Sequence, residues 1–355
     1  MSYRFFIIVS LFLFQVNINL IAQIPDGYYD ETENLGGEEL KTALYNIIKG
    51  HTEFPYTSTS TDVWDILKET DQDTLNSANV ILLYSGWSVN AAQEYNNENG
   101  WNREHVWAKS HGDFGTEIGA GTDVHALRPC DITVNSARSN YDFANGGDIY
   151  VDADGTTECR LTSNSWEPRD IVKGDVARMI FYMATRYEGE NFEPDLEIVD
   201  YVNSSPYNQK KPLHGKLSDL YEWHKNDPVS DWERDRNDII YNQYQGNRNP
   251  FIDHPEFVVK IWSHLVSAKT VDIEPQISVF PNPFHDQIRI GLNNKTTGFK
   301  TIKIELLNIH GKLVKSILTD SSVVNISCSD LETGLYIIKI MYLDNSVYQK
   351  LLFKN

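Results

Sequence analysis

Apolar residues recur every three to four positions in Leu40-Lys41-Thr42-Ala43-Leu44-Tyr45-Asn46-Ile47-Ile48 and again in Val63-Trp64-Asp65-Ile66-Leu67, which predicts two helices. Val80-Ile81-Leu82-Leu83-Tyr84, closed by Ser85-Gly86, predicts a short buried strand. The strongest helical pattern runs from Val172 to Tyr187. There Val172, Val176, Met179, Ile180 and Met183 form an apolar stripe, with Lys173, Asp175, Arg178 and Arg186 elsewhere on the surface. Residues 214–224 and 231–245 also read as helices. Beyond Pro275 the period changes from helical to alternating. Ile302, Ile304 and Leu306 alternate with Lys303 and Glu305, and Tyr336, Ile338, Ile340 and Tyr342 repeat the pattern. With turn signals at His310-Gly311 and Thr333-Gly334, this predicts a small β-sandwich.

The first residues read as an export signal. Arg4 precedes an apolar run from Phe5 to Phe14, which is too short for the ~20 residues needed to span a bilayer. Cleavage is expected near Ala22. The expected organisation is therefore a signal peptide at 1–22, a mainly helical α+β domain at 23–268, a linker at 269–276, and an all-β sandwich at 277–355.

Charge changes the picture. The chain of 355 residues has a formal net charge of −19. Residues 272–355 hold 9 basic and 8 acidic side chains, so the other 271 residues carry a net −20. No basic stripe offers long-range attraction to a polyanion. If the chain engages nucleic acid, it must do so through local arginines and a bound cation, which suits a turnover enzyme better than a tight binder. Of the three cysteines, Cys130 and Cys159 lie in one region and are candidates to pair in an oxidising compartment, leaving Cys328.

Candidate chemistry concentrates in Trp101-Asn102-Arg103-Glu104-His105-Val106-Trp107 and Asn135-Ser136-Ala137-Arg138-Ser139-Asn140. Histidine can take a proton from water because its ordinary pKa is ~6.5. A carboxylate and an amide oxygen suffice for Mg²⁺, which keeps several waters. Arginine can grip a phosphate. Glu104-His105-Val106-Trp107 predicts a strand, Gly112 to Gly121 a glycine-rich loop, Val124 to Arg128 a second strand, and Asp131 to Tyr141 a helix with Asp131 or Thr133 as N-cap. Asn135 and Arg138, three apart, share a helix face. Such a β–β–α unit would gather Glu104, His105, Asn135 and Arg138. Arg138 could instead tie the helix to a loop carboxylate, and Glu104 could simply pair with Arg103.

Asn102 to Trp107, Asp123-Val124-His125-Ala126-Leu127-Arg128-Pro129, Asn135 to Asn140, and Gln245-Gly246-Asn247-Arg248-Asn249-Pro250-Phe251-Ile252-Asp253-His254-Pro255-Glu256 resemble the endonuclease I family over roughly residues 25–268. That resemblance implies a ββα-metal (His-Me finger) core and cleavage of DNA, often RNA as well, with little sequence preference. It further implies one Mg²⁺, with Mn²⁺ or Ca²⁺ as candidate substitutes. By the family's pattern His105 is the general base, Glu104 and Asn135 are the metal ligands, and Arg138 is a phosphate contact. Arg103, Arg248 and Asn249 are candidate substrate contacts, although Asn247-Arg248-Asn249-Pro250 would also suit a loop-fixing role. Val279-Phe280-Pro281-Asn282-Pro283-Phe284, Gly311-Lys312, Gly334-Leu335-Tyr336 and the basic end resemble the C-terminal sorting domain of type IX secretion substrates. This implies engagement of the secretion machinery and a secreted or outer-membrane-surface location. No stable protein partner is inferred, and a monomer is expected.

Two rival readings stay on the page. One is a zinc-dependent hydrolase using His105, His111 and His125, weakened by the lack of a tight zinc motif. The other is a non-catalytic surface nucleic-acid-binding protein, against which the intact Glu104-His105 pair argues. Asp152-Ala153-Asp154-Gly155 hints at Ca²⁺ but lacks the full loop and reads better as a turn.

Overall fold

The computed structural model describes residues 24–95, 100–202, 210–266, 277–292, 302–309, 311–321, 323–341 and 347–355. The signal expected at 1–22 and the linker expected at 269–276 lie outside these residues, as do His310 and Tyr342. Two compact units divide between Trp262 and Ser263. No described helix is long and apolar enough to cross a membrane.

The first unit begins with α1 (Gly37–Ile48) and α2 (Val63–Thr70), followed by β1 (Gln72–Asp73), β2 (Asn76–Ile81) and β3 (Ser88–Asn90), an antiparallel sheet in sequence order. Strands β4 (Trp101–His105) and β5 (Leu127–Asp131) pair antiparallel, from Trp101↔Asp131 to His105↔Leu127, and lead into α3 (Ile132–Arg138). Strands β6 (Asp142–Phe143), β7 (Asp148–Asp152), β8 (Gly155–Leu161) and β9 (Ser165–Glu167) form a sheet in the order β6-β9-β8-β7. Helix α4 (Lys173–Arg186) comes next, then the parallel pair β10 (Glu197–Val199) and β11 (Leu213–Gly215). The unit closes with α5 (Leu217–Asn226), α6 (Asp231–Ile239), α7 (Pro250–Asp253) and α8 (Glu256–Val266).

Helix α4 is the central packing element, against α1, α5 and α7. Its apolar stripe is where the sequence predicts it, yet its polar face is buried too. Pairing makes that tolerable. Arg178 donates to both carboxylate oxygens of Glu233 at 2.6 and 2.8 Å, and Arg186 does the same to Glu193 at 2.9 and 3.0 Å.

The β–β–α unit forms, with a shifted second strand. Pairing begins at Leu127, not Val124, because side chains claim the backbone groups before it. Gln245 Oε1 accepts from Val124 N at 2.7 Å, and Asp123 Oδ1 accepts from His125 N at 3.0 Å. Arg236 Nη2 donates to the carbonyls of Val124 and Leu127, both at 2.8 Å. Helix α3 starts as predicted, capped by Asp131, whose Oδ1 accepts from Thr133 N at 2.8 Å and Val134 N at 3.1 Å. It stops at Arg138, three residues early, since Ser139 turns to φ 57°.

The second unit is all β. Strands β12 (Ile277–Phe280), β13 (Gln287–Leu292), β14 (Ile302–Asn308), β15 (Leu313–Thr319), β16 (Val323–Ser327), β17 (Gly334–Met341) and β18 (Val347–Lys354) form two antiparallel sheets, β12-β13-β16 and β15-β14-β17-β18. Residues from both sheets, among them Ile288, Ile290, Ile304, Leu306, Ile338 and Ile340, share one buried core. The alternation in the sequence produces this sandwich directly.

Asp71, buried at the C-terminus of α2, holds the second strand in place. It accepts from Arg128 Nε of β5 through Oδ1 and from Arg236 Nε of α6 through Oδ2, the latter at 3.3 Å. Asp71→Ala would strand two buried guanidinium groups, and losing one partner of a buried pair typically costs ~3–5 kcal/mol. Chemical denaturation of the variant should show a loss of that size; a change below ~1 kcal/mol would contradict this role.

Candidate active site

The site grows from the alternation of β4. Asn102 and Glu104 point to one face and Arg103 and His105 to the other. Helix α3 supplies partners at its own period of three: Asn135 Nδ2 donates to Asn102 Oδ1 at 2.8 Å, and Arg138 Nε stands 3.2 Å from Glu104 Oε1. Two side-chain rungs thus join strand to helix. On the opposite face the Tyr56 ring stacks on His105, with centroids 5.6 Å apart, and the Arg103 guanidinium lies 3.4 Å from the Tyr56 centroid.

These residues line one cleft of about 430 Å³, together with Lys109, Ser110, Ser139 and Asn140. His105, Glu104, Asn135 and Arg138 all lie on it, as the sequence predicts. Their atoms differ in how far they are already occupied.

His105 Nε2 is 2.9 Å from the carbonyl oxygen of Gly121. A carbonyl can only accept, so Nε2 carries the proton of the neutral ring and Nδ1 keeps the lone pair. Burial pushes the imidazole down to about 3, against the opposing pull of the Gly121 carbonyl. The ring is therefore neutral in the neutral and mildly acidic range, with Nδ1 unprotonated.

Glu104 is buried, at 2% exposure. Burial raises its pKa, while Arg138 and a hydrogen bond from Tyr84 oppose that rise. The Tyr84 hydroxyl donates to Oε1 at 2.6 Å. No protein group among the described residues hydrogen-bonds to Oε2. Asn135 is similar: its Nδ2 is engaged by Asn102, leaving Oδ1 as an acceptor. One carboxylate oxygen and one amide oxygen at a polar cleft suit a hard cation such as Mg²⁺, which needs few protein ligands.

Arg138 is buried, at 1% exposure. Its Nη2 donates to Val106 O at 2.7 Å, its Nη1 to Ser139 O at 3.2 Å, and its guanidinium lies over the Phe143 ring at 4.7 Å. In this geometry both terminal nitrogens of Arg138 are engaged by backbone carbonyls, while the residue still lines the cleft. It ties the helix to a strand carboxylate, Glu104, where the sequence reading offers a loop carboxylate as the alternative. Arg103 lies between Tyr56 and Trp64 and donates to Tyr56 O and Thr57 Oγ1, forming part of the cleft wall.

Arg248 and Asn249 do not reach the cleft, which corrects their expected role as substrate contacts. Arg248 is clamped by Asp253 at 2.6 and 2.8 Å and by Asp238 at 2.7 Å. Asn249 caps α7 by accepting from Phe251 N at 3.0 Å, and its Nδ2 donates to Arg178 O at 3.1 Å. Their stretch acts on the site from a distance. Gln245 holds Val124 and Asp123, and the Asn247 carbonyl holds His125 Nε2 at 3.1 Å.

Two further expectations change. Cys130 and Cys159 are both buried free thiols, with Cys159 Sγ 3.2 Å from the Tyr84 carbonyl, so the expected pairing is not made. Three histidines do not assemble as the zinc-hydrolase reading needs. His105 faces Gly121, His125 faces Asn247, and His111 lies against Asp142 and His214.

Sequence reasoning missed Tyr84, Asn102, Tyr56, Gly121 and Lys109. Asn102 stood inside the leading motif with no role assigned. Tyr84 was hidden in an apolar run. Lys109, on the exposed rim of the cleft, makes no ion pair among the described residues.

A family model described as Endonuclease I matches residues 36–256, and one described as Secretion system C-terminal sorting domain matches residues 278–354. The chain is 56% identical over 237 residues to an extracellular ribonuclease of Bacillus subtilis, covering 67% of this chain and 78% of that one. It is 54% identical over 235 residues to an extracellular ribonuclease of Bacillus amyloliquefaciens, covering 66% and 78%.

Gly121 is required by close approach. A Cβ there would stand 2.7 Å from Glu117 O and 2.9 Å from Gly115 O. Gly121→Ala must therefore shift the carbonyl that fixes the His105 tautomer, and loss of such an orienting partner costs ~10–100-fold in activity. Steady-state kinetics on the variant should show kcat falling by that factor with the fold intact by circular dichroism; an unchanged kcat would remove Gly121 from the site.

Proposed function

Because the chain belongs to the endonuclease I family, we propose that it hydrolyses phosphodiester bonds of RNA and DNA without sequence preference, using His105 as general base beside a Mg²⁺ held by Glu104 and Asn135. The chain is a nuclease exported to the cell surface or medium, carrying a secretion sorting domain at its C-terminus. One observation supports the finer reading most. Three reactive atoms on a single cleft lack a protein partner among the described residues: His105 Nδ1, Glu104 Oε2 and Asn135 Oδ1. The relatives' names, extracellular ribonuclease, add RNA to the substrate range.

In this mechanism the scissile phosphate enters the cleft along Lys109, whose ammonium replaces Arg138 as the mobile cation contacting a phosphoryl oxygen. His105 Nδ1 accepts a proton from the attacking water as the new P–O bond forms. The Nε2–H···O bond to Gly121 keeps the ring oriented and stabilises the charge that appears on it. When bound, the cation would offset negative charge on the phosphoryl oxygens and the departing 3′ oxygen. Arg138 and Tyr84 hold Glu104 Oε1 so that Oε2 stays turned to that cation. Arg103 stiffens Tyr56, which packs on the base.

The acidic surface limits substrate range less than it limits affinity. With net −20 over the first 271 residues, the substrate is repelled at long range and gripped only locally. Weak product binding and efficient release follow.

Incubating the mature chain with plasmid and with RNA tests this reading. Cleavage should require Mg²⁺ and stop in EDTA. His105→Ala should lose ~10²–10⁴-fold in kcat with cation affinity kept, as expected for a lost general base. Lys109→Ala should raise KM several-fold with little change in kcat. Full cleavage in EDTA, or an active His105→Ala, would sink the mechanism.

A further inference from the structure

Behind Arg138, away from the proposed oxygen-held cation, lies a buried cluster with a different donor set. His111 follows the motif strand in the loop after Trp107, Asp142 sits on β6, and His214 sits on β11. One ligand atom from each lies within 4.8 Å of the others. His214 Nδ1 is 3.3 Å and His111 Nδ1 is 3.8 Å from Asp142 Oδ1. All three side chains are at most 2% exposed. Around a tetrahedral zinc with bonds of ~2.0–2.1 Å, ligand atoms stand ~3.3–3.4 Å apart, so the cluster must contract, by at most about 1.4 Å between any two ligand atoms, to close on an ion.

A second observation singles the cluster out. Neither ring nitrogen of His111 makes a hydrogen bond, although both are buried. The carbonyls of Leu213 and Asn140 lie near enough to favour its charged form, but without bonding geometry. An imidazole always carries at least one N–H, and a buried unpaired polar group costs ~1–3 kcal/mol. Trp107 and Phe143 pack on His214 with centroids at 5.2 and 5.3 Å, excluding bulk water.

We propose that His111, Asp142 and His214 form a second, structural metal site for a zinc-class divalent cation, separate from the cleft. Two imidazoles and one carboxylate are a donor set that zinc takes readily, with a backbone carbonyl or a trapped water in the fourth position. Such an ion would fasten together three segments far apart in sequence. Arg138 Nη2 lies 3.5 Å from His214 Nε2, at the outer limit of a hydrogen bond. His214 Nδ1 also lies 3.1 Å from the Gly215 carbonyl, to which it donates in the metal-free ring. Loading through Nδ1 moves the ring proton to Nε2, so both that bond and the Arg138 contact are given up. The guanidinium keeps its bonds to Val106 and Ser139. The competing arrangement is metal-free, with His214 relaying a hydrogen bond from Arg138 Nη2 to the Gly215 carbonyl.

The test uses the full chain stripped with EDTA and titrated with Co²⁺ in excess Mg²⁺, which blocks the oxygen site. Wild type and Glu104→Gln should each retain one Co²⁺ with the intense visible absorption of a tetrahedral N/O site, displaced by Zn²⁺. Zn²⁺ should raise Tm in both. His111→Ala and Asp142→Asn should weaken retention by ~100-fold or more and lose the Tm shift. Glu104→Gln, being inactive yet loaded, separates this proposal from the nuclease mechanism. Wild type that retains no Co²⁺, or His111→Ala that retains it unchanged, overturns the proposal in favour of the relay. Should a variant fail to fold by circular dichroism, the wild-type stoichiometry and spectrum decide alone.

Discussion

A buried carboxylate held by a buried guanidinium organises this nuclease. Taking either charge out of water costs several kcal/mol, and only their pairing makes both tolerable. Glu104 and Arg138 meet at 3.2 Å across the strand–helix joint, and Tyr84 completes the grip on the same oxygen. The result is a buried carboxylate on which Arg138 and Tyr84 oppose the upward pull of burial, with one oxygen left over. That leftover oxygen, with the Asn135 amide oxygen one rung away, is where a hard cation has reason to sit.

Much of the remaining fold serves that joint. Asp71, Arg128 and Arg236 lock the second strand. Gln245 and Asn247 lock the turn before it, and through it the loop that presents Gly121 to His105. Polar residues buried far from the cleft are thus positioning residues. They also explain how an enzyme this acidic works on a polyanion. The two arginines that line the cleft, Arg103 and Arg138, are held by protein carbonyls, so in the proposed mechanism the substrate meets a cation and the lysine at the rim. At ~0.15 M salt the Debye length is ~8 Å, so general repulsion is screened while contacts within the cleft persist.

The fold was legible in the sequence where periodicity was strong: α1, α2, α4 and the alternating strands of the second unit. The β–β–α unit was legible as motif spacing, and Glu104, His105, Asn135 and Arg138 do share a cleft. What could not be read was occupancy. Arg138 looks like a phosphate contact in one dimension, because nothing in the sequence says that the Val106 and Ser139 carbonyls take its donors. Arg248 misleads in the same way, since Asp238 and Asp253 are close only after folding. The start of β5 was misplaced because side chains from residues 236 and 245 capture its first backbone groups. His214 lies more than a hundred residues after His111, so no local spacing signalled their meeting.

Binding of Mn²⁺, followed by electron paramagnetic resonance in zinc-equilibrated protein, probes the joint most directly. Asn135→Ala and Arg138→Lys should each weaken Mn²⁺ by at least ~10-fold, since one removes a ligand and the other loosens Glu104. Lys109→Ala should leave Mn²⁺ affinity untouched. If Arg138→Lys binds Mn²⁺ like the wild type and loses only affinity for nucleic acid, then Arg138 contacts phosphate after all and Glu104 needs no such anchor.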